Sequence, residues 1–322
     1  MSRHRPLALG AAVVAIATLT LVLSEAVFAR PGPTLTASRL SHELAVAARM
    51  TGIPARLDPP LSAASAAKPV INRNGCHVGR AGVQVPLCIY GDTTSRTTIV
   101  LFGDSHAAAW FPAFRVLAGQ RHWRLVVMTK SGCPPAEVGI VRDGVPYGEC
   151  PLWRANVESR IAALHPTLVV AATASYHEEP AAQPLPGVPT GNGSAWQDGW
   201  AAIFSFLRRS ARHIVFISDV PTLRVKAPAC IMRHESDVRR CNTKRGAAVR
   251  QPAIKTQEIA LARRNHVDAI DPMSWFCTPK ACPVVVDHTI LYRDGAHMTP
   301  SWSRFIAPVL ADAIAPVLRR GR

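Results

Sequence analysis

The chain has 322 residues, 48% hydrophobic and 18% charged, with a formal net charge of +16 and eight cysteines. This length allows one large domain plus an appendage, with a core stable without cofactor support. No internal repeat appears and no stretch is of low enough complexity to be read as disordered. The basic surplus suits anionic lipid or acidic wall polymers, or is simply solvated on the surface.

At the N-terminus "MSRHRP" precedes the uncharged, mostly apolar run "LALGAAVVAIATLTLVL", Leu7 to Leu23. A basic flank before such a run places the rest of the chain outside the cytoplasm. Residues 1–29 are read as a signal anchor holding the chain to the membrane through one apolar N-terminal helix. The other reading is a signal peptide cut before Arg30, where Val27 and Ala29 supply small residues. Export sets nucleic acid aside as a partner.

Residues 30–75 mix prolines and small residues with one short helical piece around Ser41 to Met50, and read as a linker, stalk or wrapping arm. The cysteines fall as near neighbours: Cys76/Cys88, Cys133/Cys150, Cys230/Cys241 and Cys277/Cys282. Eight cysteines allow 105 pairings. Pairing within neighbours is the simplest, each closing a short loop in an oxidising compartment and adding about 3 kcal/mol. No C-x2-C pair occurs, so no metal site is expected.

From Thr97 on, short apolar strands alternate with helical segments. The predicted strands are Thr97–Phe102, Trp123–Thr129, Thr167–Ala172, His213–Ser218 and Val267–Ile270. The predicted helices are Ala107–Gln120, Leu152–Leu164, Ser194–Ser210 and Arg245–Asn265, with a last amphipathic segment "SWSRFIAPVLADAIAPVLRR". Continuous apolar strands separated by helices indicate an α/β fold with a parallel sheet covered on both faces. Ligands of such sheets sit past the carboxyl ends of the strands.

Past the first of these strands, "TTIVLFGDSHAAAW" places Gly103-Asp104-Ser105-His106 at the entry to a helix. There a serine hydroxyl can stand at the rim, beside backbone N–H donors and the positive end of a helix, as acyl transfer requires. It is not the G-x-S-x-G elbow, and alone it also reads as a turn and helix cap. A serine needs a base, and "LYRDGAHMTPSW" offers His297 with Asp294 three residues before it. A carboxylate on one imidazole nitrogen leaves the other to face the serine.

The rivals are weaker. His106 adjoins Ser105 and reads as a residue that supports the site from behind or starts the helix. Asp287 and His288 are adjacent in an extended segment, where neighbours face opposite ways. His177 with Glu178 and Glu179 reads as a solvated loop. Of the seven tryptophans, Trp110, Trp196, Trp200, Trp275 and Trp302 offer a sugar-stacking platform or, more simply, core.

Taken together, "VLFGDSHAAAWFPAF", "KSGCPP" and "LYRDGAHMT" resemble the SGNH (GDSL-like) hydrolases, and within them the extracytoplasmic domain attached to membrane acyltransferases of family 3. The resemblance covers about residues 76 to 318 and includes the positions of Cys76, Cys133, Cys150 and Cys277. It implies a three-layer α/β/α sandwich with a five-stranded parallel sheet for the domain at 76–322. It also implies Ser105 as nucleophile, Asp294 and His297 completing a triad, and an oxyanion hole from the N–H groups of Ser105 and Gly132.

The asparagine that usually gives a third donor has no match; "VVAATASYHEE" offers Thr173, Ser175 and Tyr176 instead. Asp104, His106, Ser175 and Tyr176 are expected to touch substrate. The resulting expectation is an exported serine esterase or O-acyltransferase, needing no cofactor, acting on O-acetyl groups of a cell-envelope glycan. Family members often carry about ten membrane spans before this domain, so a transferase would take its acyl group from a separate membrane acyltransferase or a soluble ester. The alternative is a wall-binding or assembly module that keeps the fold without efficient turnover.

Overall fold

The computed structural model describes residues 35–175, 182–186 and 194–320. The expected signal anchor at 1–29, and Tyr176, His177, Glu178 and Glu179, lie outside the described residues. The strands are β1 (His77–Val78), β2 (Ile89–Gly91), β3 (Thr98–Gly103), β4 (Arg124–Lys130), β5 (Gly139–Arg142), β6 (Val145–Pro146), β7 (Leu168–Ala172), β8 (Ala182–Gln183), β9 (His213–Ile217), β10 (Thr243–Lys244), β11 (Asp268–Ile270), β12 (Ala281–Cys282), β13 (Val285–Val286) and β14 (Thr289–Ile290). The helices are α1 (Ala37–Ala47), α2 (Ser105–Gln120), α3 (Glu149–Leu164), α4 (Ala195–Ser210), α5 (Ala227–Arg233), α6 (Pro252–Arg264), α7 (Pro300–Phe305) and α8 (Ala307–Arg319).

The five expected strands form the parallel centre of one sheet in the order β4-β3-β7-β9-β11. Two short pieces extend it on β4: β1 runs parallel along Thr129–Lys130 and β2 antiparallel along Arg124–Val126. β3 is buried along its whole length because alternate residues feed two different cores. Ile99 and Leu101 join the face covered by α1, α2, α7 and α8, whereas Val100 and Phe102 join the face covered by α3, α4 and α6. The result is the expected three-layer α/β/α sandwich.

Strand order reverses at β3, with β4 on one side and β7 on the other. The crevice for a ligand in such a sheet opens at this reversal, past the strand ends.

Residues from Leu35 onward form one compact unit. The stretch 35–75, expected as a linker, stalk or wrapping arm, packs on the domain. Leu40, Leu44 and Ala47 of α1, spaced for one helix face, are buried in the same core as α2. The predicted helix at 245–265 is shorter: a 3-10 turn at Arg245–Ala247 precedes α6, which begins at Pro252, a residue suited to a first helical turn.

All eight cysteines pair with their near neighbours, as Cys76–Cys88, Cys133–Cys150, Cys230–Cys241 and Cys277–Cys282. Four disulfides place the chain in an oxidising, extracytoplasmic compartment. Among the described residues no helix is long and apolar enough to cross a membrane.

Candidate active site

Each member of the Gly-Asp-Ser-His quartet has a separate local task. Gly103 ends β3 at φ +147°, so close to β7 that a Cβ would stand 1.9 Å from the Ala172 carbonyl oxygen. Asp104 caps α2: its Oδ1 accepts the His106 N–H at 2.8 Å, and its Oδ2 accepts the Ala174 N–H at 3.1 Å from across the crevice. Ser105 is the first residue of α2, and its partly exposed side chain stands at the positive end of the helix. The helix thus begins two residues earlier than the alanine run predicts, because Asp104 supplies the cap.

The turn at 293–297 is closed by the Arg293 N–H on the His297 carbonyl at 3.0 Å. Asp294 Oδ1 accepts the N–H groups of Ala296 and His297, both at 2.7 Å, and Oδ2 accepts His297 Nδ1–H at 2.9 Å. This leaves Nε2 as the acceptor, and Ser105 Oγ lies 2.9 Å from it, across 192 positions of sequence. The hydrogen bonds from His297 and Ala296 hold the Asp294 carboxyl well below the ordinary carboxylate range, against the opposing effect of burial. Burial, with the positive charges of His106 and Arg293, lowers the His297 pKa despite Asp294. The imidazole is therefore neutral and able to take a proton near neutral pH.

Behind this relay lies a second histidine and aspartate. His106 Nδ1 is 2.6 Å from Asp219 Oδ1, just past β9, and its ring centroid is 4.5 Å from that of His297. Burial opposes a charge on His106, but Asp219, with Asp104 and Asp294, raises its pKa to about 9. Asp219 Oδ2 accepts the Ser175 N–H at 3.1 Å, while the Ser175 hydroxyl donates to Glu258 at 2.8 Å. Asp104, His106 and Ser175 are thus buried and bonded inward. These residues, expected to touch substrate, take part in the bonds that brace the crevice wall; Tyr176 lies outside the described residues.

Gly132 follows β4, on the same sheet edge as Ser105. Its φ of +62° favours glycine, and a Cβ there would stand 2.4 Å from the Arg142 guanidinium and force it to shift. The turn is held on every side. His77 bonds Thr129 Oγ1 and Ser131 Oγ, both at 3.0 Å, Tyr147 Oη donates to the Ser131 carbonyl at 3.0 Å, and Arg142 donates to the Gly132 carbonyl at 3.1 Å. The Cys133–Cys150 disulfide ties the next residue to α3. Burial pushes the His77 imidazole down to about 4, with Asp104 opposing and His297, Arg293 and Lys130 adding to it.

In the place of the asparagine, Thr173 is buried, and its hydroxyl has no hydrogen-bond partner among the described residues. Asp287 and His288 do meet, at 2.6 Å, because Asp287 takes φ +53° in the hairpin turn between β13 and β14 and so escapes the alternation of an extended strand. Both are exposed. All seven tryptophans are buried, so those five form core and no stacking platform. Among the described residues no group of three or more side chains is arranged to hold a metal ion.

A cleft of about 380 Å³ opens beside His297, between residues 222–226, Arg250 and the 294–297 turn. A larger one of about 690 Å³ lies farther along α2, between Arg115, Gln120 and Arg304, and contains none of the relay residues.

Residues 75–312 match the model of the SGNH domain (fused to AT3 domains). The chain belongs to this SGNH family. No curated protein sequence matches it. Among solved structures, the periplasmic domain of a lipopolysaccharide acetyltransferase from Salmonella ser. Paratyphi A shares the fold at 17% identity and a TM-score of 0.52, over 70% of this chain and 84% of that one. Weaker likeness extends to a carbohydrate acetylesterase family member from Sinorhizobium meliloti, at 15% identity, TM-score 0.40, 68% of this chain and 99% of that one. An acetylxylan esterase from Geobacillus stearothermophilus matches at 11% identity, TM-score 0.39, 72% of this chain and all of the other.

Ser105, Gly132, Asp294 and His297 were legible in sequence motifs. His77, Arg142 and Asp219 carried no motif. Asp219 had one signal, its place directly after a strand of the parallel sheet.

Proposed function

We propose that the chain is an exported serine O-acyl-transfer enzyme of the SGNH type, acting on O-acyl, and most simply O-acetyl, groups of a cell-envelope glycan. The observation that carries this reading is the continuous relay from Ser105 Oγ through His297 to Asp294, each link 2.9 Å, at the N-terminus of a 16-residue helix. Ser105 attacks the acyl carbonyl while His297 Nε2 takes its proton, and Asp294 stabilises the imidazolium. The oxyanion is received by the N–H groups of Ser105 and Gly132. The tetrahedral intermediate collapses, His297 returns the proton to the departing sugar oxygen, and the acyl group stays on Ser105.

Water as the second acceptor completes hydrolysis, and a sugar hydroxyl completes transfer. For transfer, the acyl donor is a soluble ester or is delivered by a separate membrane acyltransferase, a role suggested by the family's fusion to AT3 domains. The apolar segment at Leu7 to Leu23 would hold the enzyme at the membrane. The test is release of acetate from a chromogenic acetyl ester by the full chain and by Ser105→Ala, followed by product analysis with a sugar acceptor. Equal rates from both proteins would end the reading.

The replacement of the asparagine by the Thr173–Ser175 segment favours a second reading, a wall-binding module with little turnover. Removal of one oxyanion donor costs about 3 kcal/mol in other enzymes, which leaves substantial activity.

A further inference from the structure

The proton that His297 returns goes to the oxygen of the departing alcohol, so the sugar, and not the acyl group, occupies the imidazole side of the site. The cleft on that side is lined by Thr222, Leu223, Arg224, Val225, Lys226 and Arg250, together with the 294–297 turn. Among the described residues its lining holds the cations Arg224, Lys226 and Arg250, the last already engaged by a partner, and Asp294 is the one carboxylate. Both Asp294 oxygens are already engaged by His297 and Ala296, and Arg293 lies 3.4 Å from Oδ2.

The strand-like segment carrying two of these cations is fixed. The Leu223 N–H bonds the Gly295 carbonyl at 2.6 Å, the Arg224 N–H bonds Thr243 Oγ1 at 3.3 Å, and the Ala227 N–H bonds the Asp294 carbonyl at 3.3 Å. Directly behind, the Cys230–Cys241 disulfide fastens α5. Arg224 and Lys226 themselves are exposed, at the mouth of the cleft. Exposed cations on a pinned backbone, at the mouth of a cleft with no uncommitted carboxylate among its described residues, concentrate anions at the point where the alcohol must sit.

We infer that the cleft beside His297 with Arg224 and Lys226 at its mouth is the sugar subsite of the enzyme, and that it selects glycans bearing a negative group, carboxylate or phosphate, near the acylated hydroxyl. This rests on the acyl-transfer reading for the order of events at His297, but the binding of an anionic glycan can be measured without turnover.

The experiment has two arms on the full chain. In the first, the Ser105→Ala protein is titrated calorimetrically with unacetylated polygalacturonate, with poly(glycerol phosphate) and with neutral xylan. The expected result is binding of at least one polyanion, weakened at least tenfold by Arg224→Glu/Lys226→Glu and by raising the salt from 50 to about 500 mM, with no binding of xylan. The polyanion that binds distinguishes carboxylate from phosphate. Equal binding of xylan, or polyanion affinity unaltered in the double variant, would overturn the inference. In the second arm, wild type and double variant are compared on acetylated polygalacturonate and acetylated xylan. The ratio of the two kcat/KM values should favour the acidic polymer in wild type and fall at least tenfold in the variant. An unchanged ratio overturns the subsite, whereas polyanion binding without any acetate release refutes the acyl-transfer reading and leaves the subsite standing.

Discussion

The imidazoles of His106 and His297 lie 4.5 Å apart, and each is bonded through Nδ1 to its own aspartate, Asp219 and Asp294. One ring, buried and held protonated to about pH 9, stands against the ring that must stay neutral to act as a base. The two dyads thus work in opposite senses. A fixed positive charge beside His297 disfavours a second proton there and extends the neutral form toward lower pH.

His106→Gln should therefore move the acid limb of the kcat/KM profile to higher pH. His297 is faced by Asp294 and Arg293 from its own turn, by Ser105 and His106 from α2, and by the neutral His77 from β1. Removing His106 takes away one lowering charge and leaves Asp294, and Asp219 beyond, to raise the imidazole pKa. A pH–rate profile checks this; an unmoved acid limb would assign His106 a packing role.

Acid should loosen the Gly132 turn before it unfolds the rest. His77 is buried, with its folded value near 4 against an ordinary value of 6.5. A depressed imidazole contributes stability that is present above 6.5 and lost as pH falls through 4. The gap corresponds to roughly 3 kcal/mol. Melting temperatures across pH 7 to 4 should fall more steeply for wild type than for His77→Gln, and parallel curves would refute this.

Gly132→Ala is expected to reduce kcat on the order of 10²-fold while leaving most of the thermal stability. The new methyl meets the Arg142 guanidinium and the φ of +62° is unfavourable for alanine, so the N–H donor is misdirected. Adding Arg142→Ala removes the collision but not the backbone strain, and should restore only part of the rate. Steady-state kinetics on a chromogenic ester distinguishes the two contributions.

Asp294→Asn should cost about 10³- to 10⁴-fold in kcat with little change in KM, because an amide can hold the turn but presents the imidazole in the wrong tautomer. Circular dichroism confirming an intact fold, together with near-normal activity, would remove Asp294 from the relay.

Opening the Cys133–Cys150 bridge by a double Cys→Ser change should lower stability by about 3 kcal/mol and reduce kcat, because Cys133 adjoins Gly132 and Cys150 opens α3. Equal activity in the oxidised and the bridge-free proteins would separate the disulfide from the site.

Much of this architecture was legible from local pattern. The five apolar runs became the central strands because residues buried on both faces leave an unbroken hydrophobic signature, and the neighbouring cysteines paired as their short loops suggest. Ser105, Asp294 and His297 were readable because their spacing to a strand end or to each other is short. What escaped were partnerships set by the register of distant strands. His77 meets Thr129 only through the pairing of β1 with β4, and Asp219 meets His106 across 113 positions. The inward bonds of Asp104, His106 and Ser175 escaped for the same reason: the carboxylate and amide partners come from the segments after β7 and β9 and from α6. Apolar spacing in α1 carried a signal that the prolines around it obscured.

The two backbone bonds that join Leu223 to Gly295 and Ala227 to Asp294 have an evolutionary cost. The scaffold that presents the guanidinium and ammonium groups is the same one that aims the imidazole, so an insertion or shortening that retunes sugar choice would also rotate the base away from its serine. Homologous enzymes can therefore diverge cheaply at the tips of Arg224 and Lys226, by exchange of one side chain for another, but not by remodelling the loop that carries them.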